Sequence, residues 1–286
     1  MTVLDVPSTA PLRLEAVLLR TYRYLRVGMA LLVVLLGAAV GREIVTTRGL
    51  LDSLSAYYYT PAHTVFVAAL CSIGASMVAY RGHDDIEDGV LNACGFLAFV
   101  IAFVPTEAVG SVPCDPQSQF CRVPRATVEA NVEVLLWVAF VALVVTLVAS
   151  RLDGTQPGTA WSRADAIAYA ALVAGFAALV IWYVVARSSF LGYAHDTAAI
   201  ALFAGIVAVV WQNVVRVGNE GGSRGQNRYT FGLALLLVSV IVIVAWHYLG
   251  SLQHWVFYLE SSLIVQFAMF WLSQTHEFWQ RQEPIH

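Results

Sequence analysis

Eight apolar runs, each close to the length that crosses a bilayer, take up most of this chain. They lie at about 27–40, 62–80, 89–104, 132–150, 164–185, 197–215, 231–248 and 255–272. A bilayer core needs about 20 mostly apolar residues per helix. The first run is the shortest, and Tyr22, Tyr24 and Leu25 extend it. Only internally hydrogen-bonded elements survive in lipid, so runs of this kind predict helices. The expected fold is all-α: a polytopic membrane bundle of eight transmembrane helices forming one integral membrane domain over 1–286.

Composition agrees. Of 286 residues, 59% are hydrophobic and 12% charged. A soluble domain carries about 25% charged residues, so a water-facing globule is a poor reading. The net charge of −3 says little about partners. No basic cluster with interleaved aromatics appears, which leaves nucleic-acid binding without support. The expected partner is membrane lipid, and oligomeric state stays open. Residues 1–26 carry Arg13, Arg20, Arg23 and Arg26 with no small-residue cleavage site, so they read as a cytoplasmic amphipathic lead-in.

Arginine orients the bundle. All sixteen basic residues are Arg. With the N-terminus inside, inner segments hold eleven of them and outer segments five, namely Arg42, Arg48, Arg122, Arg125 and Arg187. Basic residues in short loops favour the cytoplasm. The expected orientation is N-in and C-in, in a plasma membrane, with a cytoplasmic tail over 273–286. The long loop 105–131 then faces outward. It holds Cys114 and Cys121 around an Asp-Pro turn signal, and an oxidising exterior makes a disulfide between them the expectation, against two free thiols. Cys71 and Cys94 lie inside apolar runs.

Helices in lipid associate through small residues. Ala68, Ser72 and Ser76 form such a stripe on the second helix, Ala170, Ala174 and Ala178 on the fifth, and Ala201, Gly205 and Ala208 on the sixth. The fourth and seventh helices are bulky all round and are expected to meet lipid.

Polarity that breaks the pattern gathers at the outer ends. Glu260 lies about 7–8 Å into the eighth helix; an intramembrane carboxylate is a functional candidate by default, with a hydrogen-bonded structural role as the alternative. His195 sits in Gly-Tyr-Ala-His-Asp-Thr, where Asp196 or Thr197 would cap the sixth helix. Thr60 with Pro61 reads as an N-cap and first residue of the second helix. Before it, Tyr57 and Tyr59 share one side of an extended approach and Tyr58 the other, either as an interfacial anchor or as the wall of an outer cavity. His247 and His254 have no recognised metal spacing, and no metal ligand set or cofactor is assigned. At the inner face, 83–88 (His-Asp-Asp-Ile-Glu-Asp) opens the third helix, where acidic residues complement the dipole. Residues 218–228 read as a flexible linker. No phosphate loop, zincin motif or nucleophile elbow appears.

Residues 53–61 resemble the Ser-Ile-Ser-Ala-Tyr-Tyr-Tyr-Thr signature of an uncharacterised family of bacterial multi-pass membrane proteins. The resemblance extends to Val65-Phe66-Val67, Ile73-Gly74, Leu91-Asn92, Gly95, Pro105-Thr106, His195, Ala198-Ala199, Phe203, and Trp255, Glu260, Phe267, Trp271, Gln274-Thr275 and Glu277. Leu54 replaces the signature's Ile, and His63 stands where the family has Arg. The family carries no assigned activity, so the resemblance implies a bacterial membrane protein and no chemistry. A more distant likeness is to DRAM-type and lipid-processing seven-helix proteins. The zinc hydrolases among these use a His-x-x-x-His pair that this chain lacks.

Three function classes follow. The first is a lipid or small-amphiphile binding or sensing site at the outer face, built from Tyr57, Tyr58, Tyr59, Thr60, Thr106, His195, His254 and Glu260. The second is a metal-dependent membrane-embedded hydrolase, and the third a proton-coupled transporter titrating Glu260.

Overall fold

A computed structural model describes residues 10–82, 84–106, 123–153, 162–219 and 223–280. Among them there is no strand, and each apolar run is an α-helix: α1 (Ala10–Thr47), α2 (His63–Ala79), α3 (Asp85–Phe103), α4 (Arg125–Asp153), α5 (Arg163–Val185), α6 (Arg187–Asn219), α7 (Ser223–Gly250) and α8 (Trp255–Gln280). A short 3₁₀ helix, Ser55–Tyr59, precedes α2. Seven of the helices are long and apolar enough to span a membrane. The exception is α2, whose 17 residues reach about 25 Å at 1.5 Å per residue. The chain is a multi-pass α-helical membrane protein.

Local chemistry sets several helix ends. Asp84 accepts hydrogen bonds from the backbone nitrogens of Ile86 and Glu87 at 3.0 and 2.8 Å, capping α3, and three acidic residues occupy the first turn, where they meet the positive end of the helix dipole. Ser162 and Asp165 form a reciprocal capping box on α5. The Ser162 hydroxyl also donates to Asp85 at 2.6 Å, joining the starts of α3 and α5.

Six helices close a ring. α1 packs on α2, α2 on α3, α3 on α6, α6 on α7, α7 on α8, and α8 returns to α1. α4 and α5 lie outside it, packed on α3. Only 11% of the apolar window of α4 and 6% of that of α5 is buried against protein, so most of both is exposed. Most of the bulky residues of α4, and many of those of α7, are exposed. α1 begins and α8 ends at the same face, called inner here after the arginine bias.

The small-residue stripes do not all make the expected contacts. Ala68 and Ser72 on α2, Ala170, Ala174 and Ala178 on α5, and Ala201 on α6 are exposed. Close approach occurs at other positions. A Cβ on Gly74 would lie 2.6 Å from the Gly95 carbonyl oxygen, and one on Gly95 would lie 2.6 Å from that of Gly74. Gly89 likewise meets Ala168 at 2.9 Å, and Gly205, on the expected stripe, faces the Cys94 thiol. All four of these glycine contacts involve α3, which therefore forms the hub.

Other boundaries shift. α6 starts at Arg187, ten residues before the expected cap at Thr197, because Ala186 alone separates it from α5. Arg187 is held there by Glu129 at 3.7 Å and Glu133 at 3.4 Å and by the Tyr183 ring. The outer loop ends at Pro124, not 131, since α4 already begins at Arg125. The inner linker 218–228 is mostly helical, with α6 running to Asn219 and α7 starting at Ser223. The tail is helical through Gln280. Cys114 and Cys121, and with them the expected disulfide, lie outside the described residues, as does His83.

Candidate functional site

The outer end of the ring is organised around Glu260. Leu54 is the N-cap of the 3₁₀ helix, and its apolar side chain cannot accept the hydrogen bonds that the first backbone nitrogens offer. Glu260 from α8 accepts them. Its Oε2 lies 2.6 Å from the nitrogen of Leu54 and 3.2 Å from that of Ser55. The Ser55 hydroxyl donates to Oε1 at 3.0 Å. A helix is thus capped by a side chain 206 residues away in sequence. Ser53 Oγ accepts from the Ala56 nitrogen at 3.0 Å, and the Phe257 nitrogen donates to the Asp52 carbonyl at 3.0 Å. These bonds fasten the 52–56 segment to the start of α8.

The tyrosines sit on a 3₁₀ helix and not on an extended strand, so they fan around its axis. Tyr57 is buried against Phe257, and its hydroxyl accepts from the Leu51 nitrogen at 3.3 Å. Tyr58 is buried edge-on to His63 and Phe66. Burial pushes both phenols above their ordinary pKa, so both keep their protons at neutral pH. Tyr59 donates to the Thr106 carbonyl at 2.6 Å. Thr60 does not open α2. It ends the 3₁₀ helix in extended backbone, its hydroxyl donating to the Tyr57 carbonyl at 2.7 Å and accepting from the Ala62 nitrogen at 3.2 Å. Its carbonyl accepts from the His63 nitrogen at 2.9 Å, and that turn delivers the chain to α2.

His195 is two turns inside α6, so neither Asp196 nor Thr197 is a cap there. The ring is 2% exposed, and Nδ1 donates to the Val104 carbonyl at 2.6 Å. Val104 is the C-cap residue of α3, so His195 and Tyr59 together tie down the exit of that helix. His254 lies with Nδ1 2.9 Å from Asp52 Oδ1, an ion pair when the ring is protonated. It lines a shallow recess on the outer surface with His247 and Trp255. His195, His254 and Glu260 therefore each hold a different partner. Among the described residues no group of three His, Cys, Asp or Glu is arranged to hold a metal ion.

Below Glu260 runs a cleft through the ring. It is narrow: only about 60 Å³ of it admits the centre of a water molecule. Phe66, Leu70, Ile73 and Met77 line one wall along α2, a span of about 16 Å at 1.5 Å per residue. Ile101, Leu202, Ile206 and Phe267 line other walls. Among the described residues, Ser55 and Glu260 are the only lining residues with polar side chains, and both stand at the outer end.

The inner floor is a buried polar network that the sequence reading missed. Arg26, Glu87, Asn213 and Gln274 are each at most 2% exposed. Asn213 donates to Glu87 at 3.0 Å and accepts from Arg216 at 2.9 Å and Gln274 at 3.2 Å. Arg26 donates to the Gln274 carbonyl at 3.3 Å and to the Tyr80 hydroxyl, and its guanidinium lies over the Tyr80 ring. Trp271 packs edge-on against Tyr80 and Phe267, between network and cleft. The available signal was a polar residue set within apolar sequence at the inner end of three helices: Arg26, Asn213 and Gln274.

Compared with known proteins, the chain matches no family model, no curated protein and no solved structure. The fold and site define a class only: a multi-pass helical membrane protein with a narrow apolar cleft, acidic at one end, inside a six-helix ring.

Proposed function

We propose that this protein binds a single-chain lipid or small amphiphile, with the chain in the central cleft and the head at Glu260 and Ser55. The observation that carries the reading is the cleft itself: apolar along its length, polar at one end, and narrow. Binding sites of this sort are mostly apolar, with a few placed polar groups that orient the ligand. The surrounding lipid supplies such ligands, and the expected setting is the plasma membrane of a bacterium, in line with the family resemblance of residues 53–61.

Two observations favour binding over the alternatives. Glu260 already accepts three hydrogen bonds that hold the 3₁₀ helix, which suits a fixed head-group contact better than a shuttling proton site. A metal-dependent hydrolase needs a ligand set, and the described residues offer none.

Native mass spectrometry of protein released from lipid nanodiscs tests the proposal. Wild type retains a discrete single-chain adduct. Ile73→Trp, which fills the cleft from α2, loses that adduct while still melting cooperatively. Equal retention of the adduct by a folded Ile73→Trp variant overturns the reading.

A further inference from the structure

We propose that the bound amphiphile carries a hydrogen-bond-donating head, an alcohol or an amine, and that carboxylate and phosphate heads are rejected. This rests on the cleft being a binding site for a single chain. The argument is a count of donors and acceptors at its polar end.

Three donors point at Glu260: the backbone nitrogens of Leu54 and Ser55 and the Ser55 hydroxyl. All three are used by the carboxylate. Among the described residues no Arg, Lys or His lines the cleft. What remains for a ligand is acceptor capacity only. A carboxylate has about four lone-pair sites and a hydroxyl about two, so Glu260 keeps a spare site and Ser55 Oγ keeps its own. A hydroxyl or ammonium head can donate to these without breaking an existing bond.

An anionic head meets the opposite situation. It brings further acceptors to a place where the described lining residues leave no free donor, and a negative charge to a carboxylate in surroundings of low dielectric, where repulsion is strong. To be held it must pull Ser55 or Leu54 away from Glu260, which uncaps the 3₁₀ helix. The same bonds that build the outer end therefore select the head. The inner cations do not change this. Arg26 lies below Trp271 on the far side of the cleft floor, where the Tyr80 hydroxyl and the Gln274 carbonyl engage it.

The test compares dodecanol, dodecylamine and dodecanoate, which share one chain and differ in the head. Each is titrated into wild type and Ile73→Trp in nanodiscs, with occupancy read by native mass spectrometry. Dodecanol or dodecylamine should bind wild type at least about ten-fold more tightly than dodecanoate, and the order of those two identifies the head as neutral or cationic. Ile73→Trp should bind none of the three. Dodecanoate binding equal to or tighter than both others, still blocked by Ile73→Trp, overturns the head assignment and leaves the cleft as the site. Failure of all three to bind wild type removes the binding reading itself. Glu260→Gln serves as the second arm: the folded variant should lose at least part of its discrimination against dodecanoate, and unchanged discrimination also overturns the assignment.

Discussion

Glu260 Oε2 lies 2.6 Å from the backbone nitrogen of Leu54, so the eighth helix caps a 3₁₀ helix laid down before the second. The two elements belong to opposite ends of the chain, and one side chain closes the outer end of the ring between them. This contact explains an intramembrane carboxylate structurally. It also leaves that carboxylate at the head of the apolar cleft, so the structural and binding roles share the same atoms.

Removing the cap should be costly. Glu260→Ala leaves the Leu54 and Ser55 nitrogens without acceptors, and hydrogen bonds to charged groups contribute about 1.5–3 kcal/mol each. A loss of about 3 kcal/mol or more is expected in thermal or denaturant unfolding. Ser55→Ala should lose less. In a double-mutant cycle the two should couple by about 0.5–3 kcal/mol, as residues in one network do. Strict additivity would show that the crossing bond contributes nothing.

His195 should act as a helix-end clamp. His195→Phe keeps the ring volume and removes the donor to the Val104 carbonyl. An unsatisfied buried acceptor costs about 1–3 kcal/mol. Hydrogen exchange should rise at the last turn of α3 and leave the outer recess at His254 unchanged. A variant as stable as wild type, with no local change in exchange, would leave His195 without this role.

Much of the fold was legible because lipid imposes one demand on every span: a long apolar run with its backbone bonded internally. The eight runs could thus be read as helices. Their ends were harder. α6 begins at Arg187 because Glu129, Glu133 and Tyr183 hold that residue, contacts between helices that no linear pattern contains. The polar residues of the outer end could be picked out by type, but their partners could not. His195, Glu260 and Tyr59 bond largely to backbone groups of other elements, and a backbone carbonyl or nitrogen has no sequence signature. The inner network was overlooked for a related reason. Arg26 and Arg216 counted as orienting charges, although burial makes Arg26 part of the packed interior.

A tightly packed glycine on α3 and an open one on α5 give opposite expectations for the same kind of substitution. Gly95→Leu must place a side chain against the Gly74 carbonyl and Val78, where a Cβ alone already comes within 2.6 Å. Overpacking of this sort costs about 1–3 kcal/mol and more where backbone must move, so the variant should lose its single folded peak in size-exclusion chromatography. Gly175→Leu, at a site where an added Cβ meets nothing within 4 Å, should elute as wild type. Reversed outcomes would mean that α2 and α3 do not pack through this pair.

Asn213 should be the keystone of the inner floor, because one amide serves three side chains as well as the Val209 carbonyl. Its nitrogen donates to Glu87, and its oxygen accepts from Arg216 and Gln274. Asn213→Leu has nearly the same size but offers none of these bonds, and it leaves two ionisable side chains short of a neutral partner in a site with almost no water. Each hydrogen bond to a charged group contributes about 1.5–3 kcal/mol, so a loss of about 3 kcal/mol or more is expected. Asn213→Asp separates two causes. It keeps an acceptor for Arg216 and Gln274 but sets a second acidic group against Glu87, and like charges there are strongly unfavourable unless one carboxyl takes a proton. Asn213→Asp should therefore gain stability relative to wild type as the pH falls, while Asn213→Leu should stay low throughout. Unfolding midpoints measured from pH 8 to pH 5 decide between them. Parallel curves for the two variants would show that the network is held by shape alone.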